Sequence, residues 1–155
     1  MTIEVGDKAP DFSAPADGGG TVSLKAMKGK KVVLYFYPKD DTPGCTTEAC
    51  AFRDTAPDLS RLGAEVIGVS KDSIARHDRF KAKYGLPFTL VADEDGTLCE
   101  AYGVWQEKKN YGKSYMGIVR STFLIDETGT VAAVWRNVRV KGHADEVLKA
   151  ATGDR

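Results

Sequence analysis

Val32-Val33-Leu34-Tyr35-Phe36-Tyr37-Pro38-Lys39-Asp40-Asp41-Thr42-Pro43-Gly44-Cys45-Thr46-Thr47-Glu48-Ala49-Cys50 carries three backbone instructions in succession. Its first six residues are apolar, β-branched or aromatic, which predicts a buried strand. Pro38, Pro43 and Gly44 then forbid the strand from continuing. After Gly44 the residues Cys45, Ala49, Phe52, Ala56 and Leu59 recur at steps of three and four, the spacing of an amphipathic helix. Cys45 therefore falls where a strand-ending loop enters the first turn of a helix. Unpaired N–H groups and the positive end of the helix dipole meet there. Both favour the thiolate, which is the nucleophilic form of cysteine. Cys50 follows five residues later as a second thiol. Free cysteines are often small buried hydrophobes, and that is the alternative reading of both. A Pro-Gly turn directly before Cys45 argues against it.

Working outward, residues 1–31 read as short strands and turns, with Asp17-Gly18-Gly19-Gly20 as the turn of a hairpin into Thr21-Val22-Ser23-Leu24. No Lys-Ser/Thr pair follows those glycines, so a phosphate loop is not supported. Pro57 predicts a kink or a restart of the first long helix near Ala56. Ala64–Ser70 reads as a second buried strand. Asp72 or Ser73 can cap a helix that ends at Gly85. Leu86–Val91 reads as a short strand that Pro87 demotes to an edge or a late start. A turn at Asp93–Gly96 leads into a short helix to Tyr102. The polar, lysine-rich segment from Gln106 to Tyr115 reads as a loop. Ser121–Ile125 and Val131–Trp135 form a predicted hairpin, and a helix from about His143 to Ala151 closes the chain. This order predicts an α/β sandwich with a central mixed sheet. Pattern alone leaves several α/β folds open.

The 155 residues are read as one domain, 1–155, large enough to build its core without staples. With 22 basic and 22 acidic residues the formal charge is zero, so no pull toward nucleic acid or membranes is expected. The longest apolar run is too short to span a bilayer, and Met1–Asp7 lacks a basic-then-apolar export signal. The chain is read as a cytoplasmic monomer. Three cysteines cannot all pair within it, and in a reducing compartment they point to redox or metal chemistry. Two histidines and no Cys-x-x-Cys give a closed zinc site little support. His77 lies on the apolar face of its helix and reads as a core residue. His143, near a helix start, reads as a surface residue.

Pro38, Thr42 and Cys45 compose the Pro-x-x-x-Thr-x-x-Cys motif, and the stretch from Tyr35 to Cys50 resembles the bacterioferritin comigratory protein, or Q-type, branch of the peroxiredoxins. The resemblance runs from Gly6-Asp7-Lys8-Ala9-Pro10-Asp11-Phe12 to Arg120-Ser121-Thr122-Phe123-Leu124-Ile125-Asp126. It implies a thioredoxin-like fold with an N-terminal extension and a central mixed β-sheet flanked by helices. It implies a thiol peroxidase without metal, haem or flavin, acting on hydrogen peroxide and organic hydroperoxides and recycled by thioredoxin or a similar dithiol. Cys45 would become a sulfenic acid and Cys50, in the same-helix position used by one subgroup, would resolve it as a disulfide.

The residues themselves leave more open. Thr42 is equally an N-cap ahead of Pro43 at N1 or a hydroxyl for the reacting oxygen, and one role does not exclude the other. Pro38 is a strand stopper; the resemblance adds that it shields the sulfur from water. A helix end alone shifts a thiol only partly, so a cation should be near, and Arg53, Arg120 and Arg136 are all candidates. The resemblance selects Arg120. Glu48, Asp40 and Asp41 would oppose it if close, while Tyr35 and Glu48 are candidates for the surrounding hydrogen bonds. Cys99 reads as structural, with a minor alternative as a disulfide partner. A redox sensor or chaperone-like binding protein switched by Cys45 oxidation is the competing function. A thiol–disulfide oxidoreductase is disfavoured by the Cys-x-x-x-x-Cys spacing.

Overall fold

Strand β3 (Lys31–Phe36) is the centre of a five-stranded mixed sheet ordered β5 (Thr89–Ala92), β4 (Ala64–Ser70), β3, β8 (Ser121–Ile125), β9 (Val131–Arg136). The computed structural model describes residues 3–153. β3 runs parallel to β4 (Ala64–Ser70), with Val33 opposite Val66, and antiparallel to β8 (Ser121–Ile125), with Val33 opposite Leu124. Parallel neighbours need crossovers, which α1 (Pro43–Arg61) and α2 (Ile74–Tyr84) supply between β3, β4 and the edge strand β5 (Thr89–Ala92). β8 and β9 (Val131–Arg136) form the expected hairpin, with a register shift at Leu124/Ile125. α4 (His143–Ala151) closes the described chain.

Both faces of β3 are covered, so its apolar residues run without interruption. Val33, Tyr35 and Tyr37 pack with Ala49 and Phe52 of α1, Phe80 of α2 and Val147 of α4. Val32, Leu34 and Phe36 face the other way, onto Ala9, Ala14 and Leu24 of the N-terminal segment and Leu98, Cys99 and Tyr102 around α3 (Thr97–Ala101). The N-terminal hairpin forms as expected from β1 (Ser13–Pro15) and β2 (Thr21–Ser23) around the glycine turn. Residues 1 and 2 lie outside the described residues.

Three local expectations are corrected. α1 runs from Pro43 to Arg61 as one helix, with Pro57 inside it, so there is no restart near Ala56. Pro57 is on the exposed side, where a missing N–H disturbs no buried partner. The segment from Gln106 to Tyr115 is a two-stranded ribbon, β6 (Trp105–Asn110) paired with β7 (Lys113–Ile118). Its turn residues Tyr111 and Gly112 both have positive φ, 51° and 76°, as a tight hairpin requires. Both faces of the ribbon are largely exposed, so no apolar alternation marks it. His143 is buried rather than at the surface. Ser73 is the cap of α2, accepting from the Arg76 N–H, and Gly85 ends that helix at φ 62°.

Candidate active site

α1 begins where β3 ends, so Cys45 stands at N3 of a helix whose N-cap position is Thr42 and whose first residue is Pro43. The thiol is buried, with 2% of the residue exposed. Arg120 arrives from the far end of the sequence by register. Ser121 pairs antiparallel with Phe36, so the residue before β8 sits at the carboxyl end of β3. Its Nη2 lies 3.3 Å from Cys45 Sγ and its Nη1 donates to Glu48 Oε1 at 2.6 Å. Gly44 leaves room for this approach, since a Cβ there would stand 3.3 Å from Nη2. Of the three candidate arginines, the fold brings Arg120 to the sulfur. Arg53 is occupied by Asp54 and the Tyr84 carbonyl, and Arg136 by the Ile3 carbonyl.

Glu48 is 1% exposed, and burial pushes its carboxyl up to about 7 against the opposing charge and hydrogen bond of Arg120. Its Oε2 and the Tyr35 hydroxyl are buried without a hydrogen-bond partner among the described residues. Burial, then the charge of Glu48, holds the Tyr35 hydroxyl well above its usual range. Arg120 is itself held more strongly protonated, because Glu48 and Cys45 outweigh the effect of its burial.

Thr42 occupies the capping position but does not cap with its side chain. Its hydroxyl donates to the Lys39 carbonyl at 2.8 Å, while its carbonyl accepts from the Thr46 N–H. With its proton committed, the hydroxyl oxygen is left as an acceptor. Pro38 is exposed just beyond β3. The two aspartates that could have opposed the thiolate have partners of their own. Asp41, at φ 60°, accepts from Lys83 and Tyr84. Asp40 is buried, accepting from the Tyr37 hydroxyl at 2.5 Å and facing His77 Nδ1 at 2.6 Å.

Cys50 is half-buried on the same uninterrupted helix, and all three cysteines are free thiols. Cys99 is fully buried, and burial followed by the neighbouring Asp93 carboxylate pushes its thiol far up. His143 meets Thr122 Oγ1 through Nε2 at 2.8 Å, and burial with the Arg120 charge lowers it to about 4, so it is neutral at neutral pH. Sequence reasoning missed this pair, as it missed Asp40–His77 and the half-buried Lys108, which shares an open cavity with Arg120. The alternation of β8 puts Thr122 on the helix side, but nothing local announces its partner. Asp40, Asp72 and His77 each bring a ligand atom within 4.8 Å of the others. Each atom is already hydrogen-bonded, so the cluster is a closed network rather than a metal site.

A sequence profile of the AhpC/TSA family matches residues 5–134. Peroxiredoxin Bcp of Bacillus subtilis is 56% identical over 149 residues, covering 96% of this chain and 95% of its own. A solved structure of Xanthomonas campestris peroxiredoxin Q has a TM-score of 0.90 at 46% identity, covering 97% of this chain and 96% of that one. A structure of a Xylella fastidiosa PrxQ mutant reaches 0.94 at 40% identity, covering 99% and 98%. Xanthomonas campestris bacterioferritin comigratory protein, with a TM-score of 0.90 at 46% identity, has been trapped in intermediate and ligand complexes bearing on its alkyl peroxide reduction activity. With a cysteine at a helix N-terminus, an arginine on its sulfur and a mixed sheet beneath them, the chain belongs to the AhpC/TSA family and, within it, to the Bcp, or Q-type, peroxiredoxins.

Proposed function

We propose that this chain, acting as a single domain, works as a thiol-dependent peroxidase through Cys45, and that Cys50 resolves the oxidised sulfur. The observation that carries the reading is the Arg120 guanidinium lying between Cys45 Sγ and Glu48. The Cys45 thiolate attacks one peroxide oxygen. An S–O bond forms, the O–O bond breaks, and the leaving oxygen departs as alcohol or water after taking up a proton. Sulfur is oxidised by two electrons and peroxide is reduced by two. Arg120 and the N–H groups of the first α1 turn lie where they can stabilise charge on the oxygens. Thr42 Oγ1 can accept a hydrogen bond from the hydroperoxide O–H, and Pro38 stands at the rim as a shield from water. The alkyl peroxide activity named for the Xanthomonas relative supports organic hydroperoxides alongside hydrogen peroxide as substrates.

Cys50 then attacks the sulfenic acid, water leaves, and a disulfide forms. In a regular helix, Cα atoms five residues apart are about 8.7 Å apart, while a disulfide needs roughly 4.4–6.8 Å. The first turns of α1 must therefore unwind on oxidation. A cytoplasmic dithiol protein of the thioredoxin class, acting on a monomer, restores the helix. Among the described residues no helix is long and apolar enough to cross a membrane.

Steady-state peroxide consumption with a thioredoxin system tests the assignment. Cys50→Ser should stop recycling while leaving the first turnover intact. One equivalent of peroxide should speed amide exchange across residues 45–55 in the wild type and not in Cys50→Ser. Sustained wild-type turnover by Cys50→Ser would remove it as the resolving thiol.

A further inference from the structure

The loop that carries Thr42 to Cys45 is fastened to the rest of the protein upstream, at residues 39–41. Asp40 is 3% exposed and His77 is fully buried. The two ring nitrogens of His77 face only acceptors: Nδ1 is 2.6 Å from Asp40 Oδ2, and Nε2 is 2.8 Å from the Val91 carbonyl. A carbonyl has no proton, so Nε2 must donate. The other oxygen of Asp40 already accepts from the Tyr37 hydroxyl, so Oδ2 and Nδ1 hold one proton between them, and with it on Nδ1 the ring donates on both sides. A ring that donates at both nitrogens is an imidazolium.

We propose that His77 is a positioning residue of the peroxide site: held as an imidazolium between Asp40 and the Val91 carbonyl, it fixes the loop from Pro38 to Cys45 against β5 and α2. The proposal rests on the assignment of Cys45 as the peroxide-reacting thiol. Asp40 lies two residues before Thr42, whose hydroxyl is bonded back to the Lys39 carbonyl. Its own N–H donates to Asp72 Oδ2, and Asp72 accepts from Ser70 and pairs with Arg76. The next residue, Asp41, is held at its exposed carboxylate by Lys83 and Tyr84. Asp40 thus anchors the loop from both its side chain, on His77, and its backbone, on the largely buried Asp72, while the tie at Asp41 is exposed and screened by water.

Among the described residues, the charged and titratable groups that bear on the ring come from four elements. Asp40 comes from the loop, Tyr37 from the end of β3 and Asp72 from the turn after β4. Arg76, on α2, is turned onto Asp72, and β5 contributes only a carbonyl. Burial works to lower His77, and the hydrogen bond and charge of Asp40 outweigh it, so the ring stays above the ordinary histidine range. The clamp is fully present below that range and is lost as pH rises through the raised value. A neutral ring could donate to only one of its two acceptors, and the buried Asp40 carboxylate would lose its counter-charge.

The test combines ring titration by ¹⁵N NMR with single-turnover oxidation of Cys45 by hydrogen peroxide across pH. At about pH 7 the wild-type ring should be doubly protonated. Its deprotonation at higher pH should speed amide exchange of residues 39–45 and slow the peroxide step. His77→Gln and Asp40→Asn should each slow that step by on the order of tenfold or more. Both should lose the alkaline decline, and the double variant should be no slower than either single one. A neutral wild-type ring at about pH 7, or titration without a change in loop exchange, overturns the proposal even if the variants fail to fold. So does His77→Gln with the wild-type rate and pH profile. Absence of peroxide consumption by the wild type would instead remove the peroxidase reading, leaving ring protonation and loop exchange to decide the clamp.

Discussion

Cys45 and Cys99 occupy the same place in two different helix starts. Each is the third residue of a helix that follows a strand of the central sheet, and each is buried. By position at a helix start alone, the two sulfurs should behave alike. They differ in the charge set against them. Cys45 has the Arg120 guanidinium at 3.3 Å. At Cys99 the N–H groups that would have faced an anion are taken by Asp93, which accepts from Leu98 at 3.0 Å and from Cys99 at 2.8 Å. Burial and that carboxylate hold the Cys99 thiol protonated. The helix N-terminus is a permissive setting; the sign of the facing group decides whether it makes a nucleophile.

Replacing each sulfur in turn should split the pair most widely. Cys45→Ser should abolish peroxidase turnover, since an alcohol is not ionised near neutral pH. Cys99→Ser should turn over as the wild type does, and a large loss in that variant would mean the second helix start is not inert. Removing the guanidinium comes next. Arg120→Ala should cost roughly 2–4 kcal/mol of transition-state stabilisation, read as the second-order rate of Cys45 with peroxide. An unchanged rate would detach Arg120 from the chemistry and dissolve the contrast.

The carboxylate at each site offers the two smaller tests. Glu48 stays protonated in the folded protein up to about 7, whereas an unfolded chain releases that proton near the ordinary value of 4.5. The folded state therefore binds more protons between those values, and stability falls as pH rises through that window. The loss should be on the order of 3 kcal/mol, and Glu48→Gln should flatten it in chemical denaturation across pH. The same slope in that variant would place the titrating group elsewhere. At the other helix, Asp93→Asn keeps one acceptor for two N–H groups. It should lower stability by about 1 kcal/mol and make Cys99 more reactive toward an alkylating thiol reagent. If Cys99 stays as inert as before, burial alone accounts for its protonation.

Much of the site could be read from short-range pattern because its scaffold is local. An apolar run, two prolines, a glycine and a helical repeat within nineteen residues from Val32 to Cys50 are enough to put Cys45 at the start of α1. The central strands and the capping of α2 follow from equally local signals. Signals failed where burial and pattern part company. The β6–β7 ribbon is polar on both faces, so its strands look like loop, with Tyr111-Gly112 as the clue. His143 sits at a polar helix start yet is covered by Phe52 and Trp135, whose rings meet it edge-on.

From local order alone, the chain determined the strands of its central sheet, the helix that holds Cys45, and a motif specific enough to suggest its family. Three arginines remained equivalent until β8 paired antiparallel with β3 and carried Arg120 to a sulfur 75 positions away. The same folding buried Asp40 against His77 and Thr122 against His143. Local periodicity specifies an element because neighbours along the chain constrain one another directly. The charge that faces an element is set by register and packing between distant segments, and those exist only once the sheet has closed.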